Sequence, residues 1–170
     1  MEILDVRKLL PHQPPILMLE RVVDLEPGVS GVGRRLFRDG DACFAGHFPG
    51  RPLLPGVLMI EALAQTALVV LLAEHAAELQ AAGPDLPLGY LARVQEMSFQ
   101  RAIEPGQDVR FEVRVEKRLG QFTVIEGRVT SDGVLCAKGK LAVAMDQKQL
   151  EAALALRREG RTASTEGERQ

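Results

Sequence analysis

The sequence predicts an α+β fold in which one curled antiparallel sheet wraps a single long central helix. Three observations carry this. The stretch from Val57 to about Ala82 is apolar almost throughout and reads as one helix. Strand-like segments joined by hairpin signals lie on both sides of it, in the order strand–strand–helix–strand–strand–strand. The alternation of strands with helices that a parallel α/β sheet requires is missing. The length of 170 residues and a composition of 46% hydrophobic and 26% charged residues fit one globular domain with its own core.

Taken in order, Ile3 to Leu10 reads as a short amphipathic helix stopped by Pro11 and Pro14-Pro15. Ile16 to Leu25 is apolar and β-rich, Pro27-Gly28 signals a turn, and Val29 to Phe37 completes a hairpin. Gly31 and Gly33 weaken this second strand and mark a bulge or a close backbone approach. Asp39-Gly40-Asp41 is a further turn, and Ala42 to Gly56, punctuated by three prolines and three glycines, is a loop. The first half of the long helix is apolar on nearly every face, which predicts enclosure on all sides. Glu74, His75, Glu78 and Gln80 take its far end to solvent, and Gly83-Pro84 ends it. Val109, Phe111, Val113 and Val115 alternate with Arg110, Glu112, Arg114 and Glu116, so this strand has one dry and one wet face. Leu119-Gly120 and Asp132-Gly133 separate the strands Phe122 to Thr130 and Val134 to Met145. Residues 1–146 form the expected domain. Residues 147–170 form a short helix, Gln147 to Arg158, and a polar tail without assigned chemistry.

Composition excludes several functions. The formal net charge of -2 gives no electrostatic footprint for nucleic acid, and one Tyr, six Phe and no Trp are too few for base stacking. Three His and two Cys without ligand spacing argue against a metal site. Leu53 to Ala73 has the length of a membrane span, but it holds Pro55-Gly56, Glu61, Gln65 and Thr66, so a buried core helix is expected instead. Cys43 and Cys136 lie far apart outside any CxxC, and the first ten residues are too charged for a signal-peptide core. A reducing, cytoplasmic location is therefore expected.

Two ionisable residues stand in surroundings that do not suit them. Glu61 lies among Leu58, Met59, Ile60, Ala62, Leu63 and Ala64, with only Gln65, one turn on, as a polar neighbour on its face. A carboxyl desolvated there would be held neutral and could serve as a general acid, although a Glu on a solvent-facing stripe is the bland alternative. His47 lies in Gly46-His47-Phe48-Pro49-Gly50, a loop able to hold an imidazole rigidly, although most loop histidines do nothing. His12 and His75 are weaker candidates. Pro55-Gly56 opens the helix, where free N–H groups and the helix dipole favour negative charge. Gly56 could dock a carbonyl oxygen or merely shape the corner. No phosphate loop, nucleophile elbow or paired Cys is present.

Together these segments resemble the FabZ type of β-hydroxyacyl-acyl carrier protein dehydratase. The stretch Gly46-His47-Phe48-Pro49-Gly50-Arg51-Pro52, then Pro55-Gly56-Val57-Leu58, then Glu61-Ala62-Leu63-Ala64-Gln65 carries the resemblance. Leu10-Pro11-His12, Arg21-Val22, Phe99 and Pro105-Gly106 extend it over about Leu4 to Met145. The resemblance implies a hot-dog fold and a homodimer, in some members a trimer of dimers, with the acyl tunnel at the dimer interface. It implies His47 as base, Glu61 as acid, Gly56 N–H as carbonyl donor, and no cofactor. Phe48, Pro49, Leu53, Leu54, Met59 and Gln65 are then supporting or tunnel-lining residues, and Arg51, Arg93 and Arg101 are candidates to meet the acyl carrier protein. The sequence departs from the family at Glu20, at Arg93-Val94-Gln95 and at Ala102, and Arg93 is expected to narrow the tunnel or touch the carrier. The implied reaction is dehydration of a 3-hydroxyacyl thioester to the trans-2-enoyl thioester in fatty acid or related polyketide or polyene synthesis. A hot-dog thioesterase and a catalytically silent acyl-binding subunit are the competing readings.

Overall fold

The computed structural model describes residues 6–81, 87–146, 148–152 and 154–155. Six strands form one antiparallel sheet: β1 (Arg21–Glu26), β2 (Ser30–Leu36), β3 (Gly89–Phe99), β4 (Asp108–Leu119), β5 (Phe122–Ser131) and β6 (Val134–Met145). Their spatial order is β1-β2-β4-β5-β6-β3, so β1 and β3 are the edges. The helix α1 (Gly56–Leu72) lies in the curl of this sheet, and the short α2 (Ala76–Ala81) follows it. The expected architecture is therefore present.

The binary pattern explains which face of the sheet meets α1. On β4, Val109, Phe111 and Val113 are buried, whereas Arg110 and Glu112 are half-buried and Arg114 is exposed. Close approach of the helix depends on strand positions that lack side chains. A Cβ on Gly31 would stand 2.8 Å from Val70 of α1, one on Gly89 2.8 Å from Leu68, and one on Gly127 2.9 Å from Leu63. A Cβ on Gly33 would collide with the Thr66 hydroxyl. Close approach holds at both Gly31 and Gly33, and the pairing of β1 with β2 also shifts register between Val23 and Glu26, opposite Gly31. The β2–β4 register runs unbroken from Ser30↔Arg114 to Leu36↔Asp108.

Several expectations are corrected. The order held five strands, and the structure adds β3. Its period-2 signal is broken by register shifts between Leu91 and Arg93 and between Gln95 and Ser98, with Glu96 at φ 51°. Residues 16–19 are not part of the first strand, because the Met18 N–H donates to the Gln65 side chain instead of to a neighbouring strand. The long helix is interrupted by a 3-10 turn at Ala73–His75. There the Val70 carbonyl accepts the Gly28 N–H at 2.8 Å from the β1–β2 turn. Enclosure of α1 is also reversed. Gln65 through Leu72 are all buried, while Val57 is 69% exposed and Ile60, Glu61 and Ala64 are only half-buried.

At the N-terminus a 3-10 turn, Val6–Lys8, replaces the expected helix where residues are described. The Gly83-Pro84 stop and the polar tail lie outside the described residues. Residues 148–152 and 154–155 are helical, and Leu150 packs into the core.

Candidate active site

The loop carrying His47 is fastened at both ends. Before it, Phe44 is buried and meets Phe37 edge-on at 6.2 Å, and Phe37 meets Phe111 in the same way at 6.3 Å. After it, Leu54 is buried and its N–H donates to the Ile103 carbonyl at 2.8 Å. Between these anchors the loop ties itself together. The Leu53 N–H donates to the His47 carbonyl at 2.7 Å, and Phe48 and Arg51 exchange backbone hydrogen bonds at 3.1 and 3.0 Å.

The imidazole of His47 is oriented by its own loop. Nδ1 lies 2.9 Å from the Leu53 carbonyl oxygen, and the ring stacks on Phe48 with centroids 4.0 Å apart. A carbonyl can only accept, so Nδ1 carries the hydrogen and the lone pair of the neutral ring resides on Nε2. That is the tautomer a base acting through Nε2 needs.

Glu61 stands on the half-open face of α1, with its side chain 26% exposed. The helix therefore shields the carboxylate without enclosing it as expected. Gln65, one turn further, is 1% exposed and fully employed. Its Nε2 donates to Glu61 Oε1 and to the Ile16 carbonyl, both at 2.8 Å, and its Oε1 accepts the Met18 N–H at 2.8 Å. Gln65 thus fastens the segment before β1 to the helix and holds Glu61. That segment also delivers His12, whose Nε2 lies 3.6 Å from Glu61 Oε1. From sequence alone His12 is a weak candidate. The only signals were its place in Leu10-Pro11-His12 and the prolines that follow, and neither fixes a contact 49 residues away.

His12, Glu61, Ala64, Gln65, Leu68, Gly89, Tyr90 and Leu91 line a small cavity of about 60 Å³. His47 is not among the residues that line it. The cavity opens beside the β3 edge, where Tyr90, Leu91 and Val94 are 52%, 42% and 42% exposed.

Gly56 is the first residue of α1, after Pro55. Leu58 and Met59 are the first N–H groups to turn back into the helix, both onto the Pro55 carbonyl, and the Gly56 N–H has no partner among the described residues. A Cβ there would sit 2.9 Å from the Phe99 ring, so only glycine leaves this helix start clear.

The remaining candidates divide. Leu54 and Met59 belong to the buried core, whereas Leu53 is half-buried and Phe48 and Pro49 are exposed. Arg51 and Arg101 are exposed. Arg93 lines a separate groove with Lys117, Phe122 and Lys140, away from the Glu61 cavity. Among the described residues no cluster of His, Cys, Asp and Glu could hold a metal ion.

Comparison with known proteins identifies the family and the fold. The FabA-like domain family matches residues 10–140. The 3-hydroxyacyl-[acyl-carrier-protein] dehydratase FabZ of Campylobacter concisus is 35% identical over 140 residues, covering 82% of this chain and 94% of the relative. The protein of the same name from Chloroflexus aggregans is 36% identical over 147 residues, covering 85% and 96%. Among solved structures, the dehydratase heterocomplex ApeI:P from Xenorhabdus doucetiae superposes with a TM-score of 0.68 at 23% identity, covering 89% of this chain and 97% of that one, which shows the shared fold. A family match over most of the chain, two relatives above 30% identity along nearly their whole length, and one long helix held in a curled sheet lead to one assignment: the chain belongs to the FabA-like family and, within it, to the FabZ type.

Proposed function

We infer that this chain dehydrates a 3-hydroxyacyl thioester carried on acyl carrier protein to the trans-2-enoyl thioester, with His47 as base, Glu61 as acid and the Gly56 N–H as carbonyl donor. The observation that carries the assignment is the Nδ1–H bond of His47 to the Leu53 carbonyl, which leaves Nε2 as the free basic nitrogen.

The reaction follows from these groups. His47 Nε2 takes the proton from C2 of the substrate. The electron pair of that C–H bond moves into an enolate whose oxygen is stabilised by the Gly56 N–H and the positive end of the α1 dipole. The enolate collapses, the C3–O bond breaks, and Glu61 transfers its proton to the departing hydroxyl, releasing water. Afterwards His47 returns its proton to Glu61 through solvent, so no co-reactant is consumed.

Because one chain lacks His47 in the Glu61 cavity, the reading includes a homodimer in which each site takes His47 from one protomer and Glu61 from the other. Support comes from the β3 edge, unpaired among the described residues, whose exposed Tyr90 and Leu91 line that cavity and whose Val94 is exposed further along the strand. The test is to supply purified protein with 3-hydroxyacyl thioesters of graded chain length. Enoyl absorbance should appear without free thiol. Free thiol in its place would make the protein a thioesterase, and neither signal would make it an acyl-binding subunit.

A further inference from the structure

The two oxygens of Glu61 have different surroundings. Oε1 accepts the Gln65 Nε2–H at 2.8 Å and faces His12 Nε2 at 3.6 Å. Oε2 has no partner among the described residues. In a neutral carboxylic acid the carbonyl oxygen accepts and the hydroxyl oxygen donates. The Gln65 donor on Oε1 makes that the carbonyl oxygen, so the acidic hydrogen is carried on Oε2.

The other nitrogen of His12 is a second, independent observation. Nδ1 is buried and has no hydrogen-bond partner. An orphaned buried N–H is rarer and costlier than an orphaned acceptor, so the neutral ring keeps its hydrogen on Nε2, aimed at Glu61. At 3.6 Å the contact is too long for a hydrogen bond in the free chain, and a movement of about 0.6 Å would bring it into range. Such contacts often tighten only when substrate is bound. His12 is held for this between the buried Leu10 and the buried Met18, which is itself tied to Gln65.

We propose that His12 is a positioning residue. Together with Gln65 it holds Oε1 as the accepting oxygen, so that Glu61 offers its proton from Oε2 to the leaving hydroxyl. The proposal rests on the reading of Glu61 as the acid. In the step itself the Oε2–H bond breaks and its proton joins the leaving oxygen as the C3–O bond breaks. The negative charge left on Glu61 is met by the Gln65 and His12 N–H groups, and His12 keeps its own hydrogen throughout.

The experiment compares a 3-hydroxyacyl thioester with its 3-chloroacyl analogue, because chloride departs without needing a proton. His12→Phe should lower kcat on the hydroxy substrate about 10-fold to 100-fold, a part of what a general acid contributes, with KM within about 3-fold of the parent. On the chloro substrate it should match the parent. His12→Gln, which retains an N–H donor, should recover most of the loss. Melting temperature and gel filtration confirm the fold of each variant, and His12→Ala carries the same comparison if His12→Phe does not fold. Equal losses on both substrates would make His12 a merely structural residue and overturn the proposal, as would no loss on either. Glu61→Gln is measured alongside. If it keeps full activity on the hydroxy substrate, the acid assignment falls and this inference with it. If it behaves as expected and the His12 variants do not, only the role of His12 falls.

Discussion

Gln65→Met tests whether one buried amide joins the fold to the site. Methionine is close to glutamine in length and volume, so the substitution removes hydrogen bonds and leaves the packing nearly unchanged. Three bonds go: the acceptor for the Met18 N–H and the two donors to the Ile16 carbonyl and to Glu61. Met18 is 1% exposed, so its N–H would be left dry and unpaired, a loss of about 1–3 kcal/mol. The Ile16 carbonyl belongs to a residue 46% exposed and finds water more easily, so it adds about 0.5–1 kcal/mol. The expected total is about 1.5–4 kcal/mol, measured as the shift in the urea unfolding midpoint at unchanged slope. Turnover should fall as well, because Glu61 loses the donor on Oε1. Gln65→Glu separates the two effects. It retains an acceptor for Met18 but sets a second carboxyl against Glu61, so it should harm turnover more than stability. A Gln65→Met protein within about 0.5 kcal/mol of the parent would refute the reasoning, because a buried amide that can be deleted so cheaply fastens nothing.

Three further outcomes are expected. His47→Ala and Glu61→Ala should each abolish dehydration, and mixing the two should restore part of it through hybrid dimers with one intact site; no recovery despite proven subunit exchange would refute a shared site. Gly33→Ala should destabilise by about 1–2 kcal/mol, because its methyl would press on Thr66 and Leu19, more than offsetting the gain of about 0.5–1 kcal/mol from a stiffer unfolded chain; differential scanning calorimetry measures it, and a higher melting temperature would refute the close-packing argument. Burial pushes the Glu20 carboxyl up, but its hydrogen bonds from Arg38 and the Leu36 N–H, with the charges of Arg38 and Arg35, outweigh this and hold it below the usual range. A lowered carboxyl stabilises the fold above its unfolded value and loses that contribution as pH falls through the folded one. Glu20→Gln should therefore cost under about 1 kcal/mol at neutral pH, and nothing once both proteins are fully acidified, as read from urea unfolding across acid pH.

What was legible in the sequence depended on local pattern. The strict alternation of Val109 through Glu116 gave β4 its face, and Pro27-Gly28 placed the first hairpin, because both signals act within a few residues. The pairing of Glu61 with Gln65 was legible for the same reason, four residues being one helical turn. What failed was decided at long range. β3 was missed because two register shifts destroy its alternation and because its apolar residues Tyr90, Leu91 and Val94 face outward in a single chain. The apolar start of α1 looked enclosed, but that same stripe of Val57 and Ile60 is left partly open. His12 was undervalued because a histidine after a proline says nothing of its neighbours. Its contact with Glu61 is made where Gln65, on the same helix as Glu61, ties down Ile16 and Met18, which follow His12 in the chain.

The glycines on the sheet's inner surface have one more consequence. Gly31, Gly33, Gly89 and Gly127 act as sockets that receive Val70, Thr66, Leu68 and Leu63 in turn, like the wards of a lock around a key. A key so seated can neither slide nor spin, so the sheet itself dictates the height and bearing of Gly56 and Glu61. A methyl group added at a socket on a remote strand would tilt both together, and turnover would register the damage at a distance.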